Sequence, residues 1–401
     1  MKAAVIGAGW AGLAAAIAAT QAGAEVTLFE AARAPGGRAR TLAGSTLDNG
    51  QHILIGAYTE CLRLMRLVGV QEATALHRQP LALTYPDGLG LAFPDLPPPW
   101  DALVGIARAR GWSWRDKAAL LRTAAAWRLA GFRCAPDATV AGLCARLTPR
   151  LMAEFIEPLC ISALNTPAHE ASGAVFLRVL QDSLFSGPGG SHLLVPRTDL
   201  GALFPEAAAR WLAERGAHLR WGQRVQSLTP GQVDGEPFDA VLLATPAWEA
   251  ARLAHPIAPD WAAQAAALRH TAIATVYAHA PTALPAPLLA LRGQPAQFVF
   301  DRGEGLLAFV VSTSAGGREQ IEREVTAQAQ AQLGIAITPL QTVVEKRATF
   351  ACTPLLARPG MAVAPGLWAC GDYVDGPYPA TLEGAVRSGT AAGVTAVGTA
   401  P

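Results

Sequence analysis

The sequence predicts an α/β fold that begins with a strand, a helix and a second strand parallel to the first. Residues 3–6 form a short apolar run, and residues 25–29, Glu-Val-Thr-Leu-Phe, form a second strand-like stretch of similar length. Between them, residues 13–22 are rich in alanine and predict a helix. Two later apolar runs, 240–244 and 366–370, are predicted as further buried strands.

A glycine-rich turn with the spacing GxGxxG joins the first strand to the helix. In a βαβ unit the first glycine permits the tight turn, the second lets backbone approach a pyrophosphate, and the third packs helix on strand. The amino end of the helix adds N–H groups and positive potential. Glu30, eighteen residues after Gly12, is placed to accept hydrogen bonds from a ribose. We therefore predict a dinucleotide site built by Gly7, Ala8, Gly9, Trp10, Ala11, Gly12, Glu30 and Ala31.

The composition excludes two broad classes of protein. Hydrophobic residues make up 51% of the 401 residues and charged residues 16%, whereas a disordered chain combines low hydrophobicity with high net charge. The 32 basic and 31 acidic residues give a net charge of +1, so there is no overall attraction for nucleic acid. Glycine or proline interrupts the long uncharged runs, and we expect no membrane-spanning helix and a cytoplasmic location.

Two further pieces indicate which dinucleotide is bound. Residues 36–38, Gly-Gly-Arg, add close backbone approach and a charge-assisted contact to the same pyrophosphate. Far along the chain, a predicted strand runs into Gly371 and Asp372, and a last helix opens at 379–385. With the GxGxxG unit, these pieces resemble the FAD-dependent amine oxidase/phytoene desaturase superfamily. Its members combine a Rossmann-like FAD-binding domain with a discontinuous α+β substrate-binding domain.

The resemblance implies FAD as the cofactor and assigns roles to individual residues. In that superfamily the residues equivalent to Gly37 and Arg38 contact the pyrophosphate, and the equivalent of Asp372 holds the ribityl–phosphate region. The amino end of the last helix points at the flavin, where its dipole would stabilise negative charge on the reduced ring. By the same resemblance, the remaining contacts are Gly371, Thr381, Leu382 and the backbone of Val225.

Three more stretches resemble the squalene-associated branch of the superfamily, the hydroxysqualene dehydroxylase family. They are LDNGQHILIGAY at 47–58, EPLCISALNTP at 157–167 and LLVPRTDL at 193–200, and the resemblance as a whole extends over 1–395. It implies a hydrophobic C30 isoprenoid substrate and a role in squalene and hopanoid biosynthesis. In the implied reaction, reduced FAD donates hydride to hydroxysqualene as hydroxide leaves, giving squalene and water.

The predicted flavin pieces are scattered along the chain. They occupy 1–75, 190–246 and 345–401, which predicts a discontinuous FAD-binding domain. The intervening segments, 76–189 and 247–344, are predicted to build the substrate-binding domain. The low charge content of the chain suits an apolar tunnel that holds a polyene and excludes water.

Residues 93–132 are rich in basic and tryptophan side chains. From 101 to 133, seven basic residues are opposed only by Asp101 and Asp116, a net charge of +5. Tryptophans are interleaved with them at Trp100, Trp112, Trp114 and Trp127. Basic helices with tryptophan suit an anionic membrane surface, so one interpretation is a peripheral contact with the inner membrane. The other is a solvated helical face over an ordinary core. The sequence does not decide between them, and the oligomeric state cannot be read from it.

The implied dehydroxylation requires a general acid to protonate the leaving oxygen. His52, Asp375 and Tyr378 all lie near the flavin motifs and are the candidates. The other histidines show no metal-ligand spacing, and we predict no metal site.

Two alternative functions stay open. The same fold can run electrons in the opposite direction, as a carotenoid or squalene desaturase or as an amine oxidase. An amine oxidase normally has a flavin-facing lysine, and of the three lysines only Lys346 is placed to reach a flavin. The second alternative is a non-catalytic flavin- or lipid-binding partner in a terpenoid-synthesis assembly. The single dinucleotide fingerprint leaves the reductant of the flavin unidentified.

Overall fold

The structure is a computed structural model that describes residues 1–184 and 187–398. In chain order the strands are β1 (Lys2–Ile6), β2 (Glu25–Glu30), β3 (Leu54–Ile55), β4 (Leu76–Gln79), β5 (Ala82–Thr84), β6 (Gly90–Ala92), β7 (Leu193–Pro196), β8 (His218–Trp221), β9 (Leu228–Thr229), β10 (Gln232–Val233), β11 (Glu236–Pro237), β12 (Ala240–Leu243), β13 (His270–His279), β14 (Leu288–Ala290), β15 (Phe298–Asp301), β16 (Leu306–Ser312), β17 (Thr338–Phe350), β18 (Ala362–Ala364) and β19 (Leu367–Ala369).

The helices alternate with these strands along the chain. They are α1 (Trp10–Gln21), α2 (Thr59–Leu67), α3 (Glu72–Ala75), α4 (Trp100–Arg108), α5 (Trp114–Leu129), α6 (Val140–Leu143), α7 (Pro149–Leu151), α8 (Glu157–Leu164), α9 (Gly173–Leu184), α10 (Leu200–Leu203), α11 (Pro205–Ala213), α12 (Ala247–Ala254), α13 (Pro259–Ala266), α14 (Arg318–Leu333) and α15 (Leu382–Gly398). A π-helical turn, Met152–Ile156, joins α7 to α8.

A six-stranded sheet lies at the centre of the first layer, in the order β18-β19-β12-β1-β2-β8. All neighbours in it run parallel except the edge strand β18, which is antiparallel to β19. The strands β1, β12 and β2 are almost wholly buried, as their continuous apolar sequences predict for strands covered on both faces. This sheet and the helices around it confirm the predicted α/β class.

Helix α1 is buried from Trp10 to Ala19 because it is enclosed on every side. Its alanine-rich surface packs against α15, which returns to it from the far end of the described chain. At the start of α15, the buried carboxylate of Glu383 accepts hydrogen bonds from the backbone N–H groups of Glu60 and Cys61 in the first turn of α2, each at 3.0 Å. The carboxylate thus pairs with N–H groups that have no partner within α2, at the positive end of that helix.

A five-stranded antiparallel sheet, in the order β14-β15-β16-β13-β17, forms the centre of the other layer. The two faces of β13 carry different neighbours, as the alternation of side chains in a strand requires. Ala274, Val276 and Ala278 pack under α14, whereas Tyr277 joins the large apolar cluster shared with the helices between α4 and α9. Side chains at odd positions of β13 therefore face the interior between the two sheets.

The two sheets draw on different parts of the chain. The parallel sheet takes its strands from 2–30, 218–243 and 362–369, and the antiparallel sheet from 270–350. Strand β17 crosses the predicted domain boundary at 344/345, because its pairing with β13 continues to Phe350. No helix within residues 1–184 and 187–398 is both long enough and apolar enough to cross a bilayer.

Candidate active site

The residues predicted to bind the dinucleotide follow the carboxyl ends of adjacent parallel strands. Gly7 follows β1, Glu30 ends β2, and Gly371 and Asp372 follow β19. The turn after β8 continues to Val225. In open α/β sheets a ligand binds in the crevice outside these ends, where the direction of winding reverses. Here β1 lies between β2 on one side and β12 on the other. From β1 the chain continues first to β2 and β8 on one side of the sheet and later to β12 and β19 on the other, so the winding direction reverses at β1, where the GxGxxG turn begins.

The turn after β1 has the compact geometry that the spacing predicts. A methyl group added to Gly12 would lie 1.8 Å from the carbonyl oxygen of Gly7, so no other residue fits at this helix start. Glu30 accepts hydrogen bonds from the backbone N–H groups of Ala8 and Ala32, each at 2.7 Å. Glu30 therefore anchors the turn to the end of β2 and holds its carboxylate at the rim of the crevice.

The second glycine pair faces the first across a narrow gap. The backbone N–H of Gly36 donates to the carbonyl oxygen of Ala8 at 2.8 Å, and the Trp10 indole donates to the carbonyl oxygen of Ala39 at 3.1 Å. A methyl group added to Gly37 would lie 3.1 Å from the Cα of Gly9, and the φ of +60° at Gly37 disfavours other residues. Two bare backbones thus form a cradle that a side chain would fill.

Arg38 leaves this cradle and meets Asp372. One guanidinium nitrogen lies 2.5 Å from the Asp372 carboxylate, and another donates to the carbonyl oxygen of Ala348 at 2.7 Å. The Arg38 side chain is 30% exposed and the Asp372 side chain 9%. The Asp372 and Glu345 carboxylates outweigh the effect of burial and raise the pKa of Arg38, which therefore stays positively charged.

The donor set fits a flavin dinucleotide. Within the described residues, buried oxygens without a hydrogen-bond partner include Thr245 Oγ1, in a residue whose backbone nitrogen lies near Gly7, and the hydroxyl of Tyr373, the residue after Asp372. Gln51 Oε1 and Thr275 Oγ1 are two more such atoms. Unpaired buried polar atoms carry a free-energy cost, which a polar ligand would relieve. Backbone N–H groups, a guanidinium and two acids are the groups that bind phosphates and ribose hydroxyls.

The remaining predicted cofactor residues lie at the two ends of the crevice. At one end, Gly222 and Gln223 donate backbone hydrogen bonds to Ala32 and Glu30, which brings the segment leading to Val225 beside the end of β2. Ala31 is exposed at that end. At the other end, the N–H of Ala380 donates to the Asp372 carbonyl oxygen at 3.1 Å. That contact places Thr381 and Leu382, at the start of α15, next to Asp372. The carbonyl oxygen of Val225 already accepts a hydrogen bond from Arg252 at 2.9 Å.

Of the three proposed acids, His52 lies deepest. Its Nδ1 is 3.3 Å from the carbonyl oxygen of Gly50, and Gly50 lies between His52 and the inward-facing Thr275 of β13. Burial is the main cause that lowers the pKa of His52, and the charge of Arg38 lowers it further. The imidazole is therefore neutral near pH 7 in the free protein.

The structure does not bring Asp375 and Tyr378 into the same interior. The Asp375 side chain is 72% exposed and is paired with Arg358 at 3.1 Å. The Tyr378 ring lies between two guanidinium groups, with centroid distances of 5.6 Å to Arg178 and 5.0 Å to Arg387. Partial burial raises the pKa of Tyr378, so its phenol keeps its proton.

No sequence pattern singles out His270, which lies at the start of β13 opposite Phe350. Burial and the nearby charge of Arg38 lower its pKa, and its ring meets Trp248 edge-on at 5.2 Å. Only the register between β13 and β17 brings this histidine toward the Arg38–Asp372 pair. Lys346 is exposed on β17, so no flavin-facing position is seen for it.

Asp48, in the stretch that contains His52, joins the two layers. Its carboxylate accepts from the backbone N–H of Leu200 at 2.8 Å and lies 3.3 Å from the guanidinium of Arg302. Its carbonyl oxygen accepts from the Tyr277 hydroxyl at 3.1 Å. Burial outweighs these contacts and raises the pKa of Asp48 to about 6.

Two surface cavities lie away from this site. One, of about 670 Å³, is lined by α14 and the start of β17; the other, of about 320 Å³, lies at the amino ends of β1 and β2. Neither borders the glycine turns or the Arg38–Asp372 pair, so neither is the apolar tunnel predicted for the substrate. Among the described residues, no group of three or more His, Cys, Asp or Glu side chains is placed to hold a metal ion.

Comparisons with known proteins agree with this geometry. The model of the family described as flavin containing amine oxidoreductase matches residues 10–394. Hydroxysqualene dehydroxylases of Rhodopseudomonas palustris and Sinorhizobium fredii are 31% and 27% identical to the chain, each over 97% of it and 96% of the relative.

Solved structures show the same fold at lower identity. An oxidoreductase from Methanosarcina mazei superposes with a TM-score of 0.72 at 18% identity, over 98% of this chain and 99% of that one. Cyclohexylamine oxidase from Brevibacterium oxydans superposes with a TM-score of 0.65 at 17% identity, over 99% of this chain and 98% of that one.

The fold and the site define an FAD-dependent oxidoreductase. The chain belongs to the flavin-containing amine oxidoreductase family, and its predicted resemblance to the hydroxysqualene dehydroxylases is confirmed over nearly its whole length. The predicted cofactor, FAD, is confirmed by the same family.

Proposed function

We propose that this oxidoreductase removes the hydroxyl group of hydroxysqualene to give squalene. The observation that carries the proposal is the full-length similarity to relatives named hydroxysqualene dehydroxylase. FAD, when bound in its reduced state, supplies the hydride that replaces hydroxide on the allylic carbon. The balance is one alcohol, one hydride and one proton in, and one hydrocarbon and one water out. The protein itself must deliver the proton and keep water from the cation-like carbon.

His52 is the residue we assign to proton delivery. It lies in the interior beside the inner face of β13, whereas Asp375 is solvent-exposed and Tyr378 is held between two arginines. Delivery of a proton requires the imidazolium form, which burial and Arg38 disfavour in the free protein. An anionic group bound against Arg38 offsets that charge and raises the protonated fraction of His52.

The apolar cluster on the inner face of β13 suits a polyene substrate. The cluster that contains Tyr277 of β13 continues through Phe298 and Phe300 of β15 to Phe155 and Phe176 of the helical region. A largely apolar lining with few polar groups is the usual environment for such a ligand. Here the polar groups are Thr275 and His52, which would orient the hydroxyl group that leaves.

Anaerobic mixing of photoreduced holoenzyme with hydroxysqualene tests the proposal. We expect the flavin absorbance to return and one squalene to form for each flavin oxidised. Squalene, which lacks the hydroxyl group, is the matched control and should leave the flavin reduced. If hydroxysqualene produces neither reoxidation nor squalene, the proposal is wrong.

The reverse direction has its own readout. Squalene added to oxidised holoenzyme should leave the flavin absorbance unchanged. Bleaching of the flavin under these conditions would instead support the desaturase alternative. Bound flavin that responds to no isoprenoid in either redox state would support the non-catalytic alternative.

A further inference from the structure

The outer surface of α4 and α5 carries an unusual concentration of exposed apolar side chains. Ten large apolar side chains are exposed in the described part of the chain, and six of them lie between residues 93 and 132. These six are Leu96, Trp100, Leu103, Trp114, Leu121 and Leu129. Scattered exposed apolar residues are ordinary, but a contiguous set on one surface marks an interaction site.

On α5 the exposed residues form one stripe along the helix. They recur at the spacing i, i+4, i+7, i+11 and i+15, which keeps them on one face of an α-helix. The stripe consists of Trp114, Ala118, Leu121, Ala125 and Leu129. Trp114 is 79% exposed and Leu129 is 89% exposed, so neither contributes to the protein core.

The opposite face of α5 is fixed to the protein. Leu120 and Trp127 are buried, and the carboxylate of Asp116 accepts hydrogen bonds from Ser113 at the helix start and from Thr148 before α7. Apolar side chains thus lie on two opposite faces of α5, and only the inner set is explained by the fold.

Helix α4 continues the outer stripe. Trp100, Leu103 and Ala107 are exposed at the spacing i, i+3, i+7. The Lys117 ammonium donates to the carbonyl oxygen of Ala107 at 2.7 Å and lies 5.2 Å from the centre of the Trp114 ring. This contact brings the end of the α4 stripe against the start of the α5 stripe.

Positive charge flanks the stripe on both sides. At 100° per residue, Arg115 and Arg122 lie on one side of it, and Lys117 and Arg128 lie on the other. The two acids of 101–133, Asp101 and Asp116, are both buried, so every exposed charged side chain in this range is basic. A protein partner of ordinary composition would not require a uniformly positive rim. A bilayer with anionic headgroups matches both the apolar stripe and its basic flanks.

We propose that the outer face of α4 and α5 docks on an anionic lipid bilayer. The helices lie in the plane of the interface, with Trp114 and Leu129 at the boundary between headgroups and acyl chains. Arg115, Arg122 and Arg128 meet lipid phosphates while their stems cover apolar surface. The proposal does not depend on the reaction proposed above, since a vesicle-binding assay needs no turnover.

Flotation of the holoenzyme with vesicles tests this surface. Wild-type protein should float with vesicles of equal parts phosphatidylglycerol and phosphatidylcholine and stay behind with phosphatidylcholine alone. Raising the ionic strength from about 0.1 M to about 1 M, which shortens the Debye length from about 10 Å to about 3 Å, should weaken binding at least tenfold. Failure of the wild-type protein to bind the anionic vesicles would overturn the proposal.

Matched variants separate this face from the rest of the surface. Trp114→Ser/Leu129→Ser and Arg115→Ala/Arg122→Ala/Arg128→Ala should each weaken vesicle binding at least tenfold. Two controls, Leu340→Ser/Leu355→Ser and Arg318→Ala/Arg323→Ala, change exposed residues elsewhere and should bind as wild type does. Equal binding by the Trp114/Leu129 variant and the wild type would overturn the proposal.

A second measurement keeps the test independent of variant stability. Brominated phosphatidylcholine in the anionic vesicles should quench tryptophan fluorescence of the wild-type protein, and Trp114→Phe should remove a large part of that quenching. Unchanged quenching in Trp114→Phe would overturn the placement of Trp114 at the interface.

Light scattering tests whether this face instead pairs with a second copy of the chain. If Trp114→Ser/Leu129→Ser converts a dimer to a monomer and wild-type protein binds no vesicle, the face pairs with a second copy and the lipid proposal is wrong.

Discussion

Arg38 and Asp372 lie 334 residues apart in the chain, and their side chains form an ion pair of 2.5 Å at the mouth of the dinucleotide crevice. One comes from the loop after β2 and the other from the loop after β19. The pair therefore links an early segment of the chain to a late one beside the crevice. A substitution at either residue therefore changes the charge available to a phosphate. It also breaks the contact between the loop after β2 and the loop after β19.

Removal of the guanidinium at position 38 should weaken cofactor binding. A charge-assisted hydrogen bond contributes about 1.5–3 kcal/mol, so we expect FAD to bind Arg38→Ala about 10–100-fold more weakly than wild type. Titration of apoprotein with FAD, followed by flavin fluorescence, measures the change. Arg318→Ala, an exposed arginine at the start of α14, is the control and should bind FAD normally. Normal binding by Arg38→Ala would exclude a role in holding the pyrophosphate.

The assignment of His52 predicts a characteristic pH dependence. Its pKa lies below the ordinary value near 6.5, so the imidazolium fraction is small at neutral pH and grows as pH falls. We expect single-turnover reoxidation of reduced enzyme by hydroxysqualene to accelerate as pH is lowered from about 8 to about 6. His52→Gln should be slower by about 10²–10⁴-fold, the usual contribution of a general acid, and should lose this acceleration. A variant that is slow but keeps the wild-type pH profile would show that His52 positions the substrate without donating the proton.

Asp48 should make the free energy of unfolding fall as pH rises through about 6, which is opposite to the usual effect of a paired carboxylate. Its pKa is raised to about 6 in the folded protein, against about 3.9 in an unfolded chain. Between these values the folded state binds the proton more tightly, so this group stabilises the fold at low pH and loses that contribution as pH rises through about 6. The stability of Asp48→Asn relative to wild type should therefore increase by about 2–3 kcal/mol between pH 4 and pH 7.

Urea unfolding of both proteins at several pH values measures this difference and cancels the titration of all other groups. Asp87→Asn is the control of opposite sign. Desolvation raises the pKa of Asp87, but the hydrogen bonds from Arg292 and the Leu89 backbone, together with the charge of Arg292, outweigh it and lower the pKa. The stability of Asp87→Asn relative to wild type should increase as pH falls. Parallel curves for Asp48→Asn and wild type would contradict a raised pKa at Asp48.

Glu383 should be important for stability and not for the reaction. Its buried carboxylate binds two backbone N–H groups of α2 and lies 2.6 Å from the guanidinium of Arg387. The amide of Glu383→Gln cannot replace the charge, and we expect a loss of about 2–3 kcal/mol in the free energy of unfolding. Glu319→Gln, in the exposed first turn of α14, should change it by less than about 0.5 kcal/mol. Comparable effects of the two substitutions would contradict the assigned role.

The first βαβ unit could be predicted almost residue by residue because its signals are local. The sequence places strands at 3–6 and 25–29, and the structure has them at Lys2–Ile6 and Glu25–Glu30. The helix begins earlier than predicted, at Trp10, because the glycine turn closes directly onto it. Glycine spacing and apolar runs carry this information without reference to the rest of the chain.

Contacts between distant segments could not be predicted in the same way. His270 approaches Arg38 only through the pairing of β13 with β17 and of that sheet with the flavin side, and no local pattern encodes such a register. The carboxylate of Glu383, in the last helix, is bound at the start of α2, 323 residues away in the chain. Asp375 follows a flavin motif in sequence, yet the turn after β19 directs it outward to Arg358. Proximity in sequence to a motif does not fix the direction of a side chain.

The strand order also determines when the protein becomes competent during its synthesis. Strand β1 leaves the ribosome first, but its neighbour β12 follows more than two hundred residues later, and β19 and α15 later still. Until residues 367–398 have emerged, Asp372 is missing and α1 lacks its cover, so the nascent chain exposes a glycine turn and an alanine-rich helix without their partners. Capture of the cofactor therefore waits until the Asp372 loop and α15 have joined the first βαβ unit.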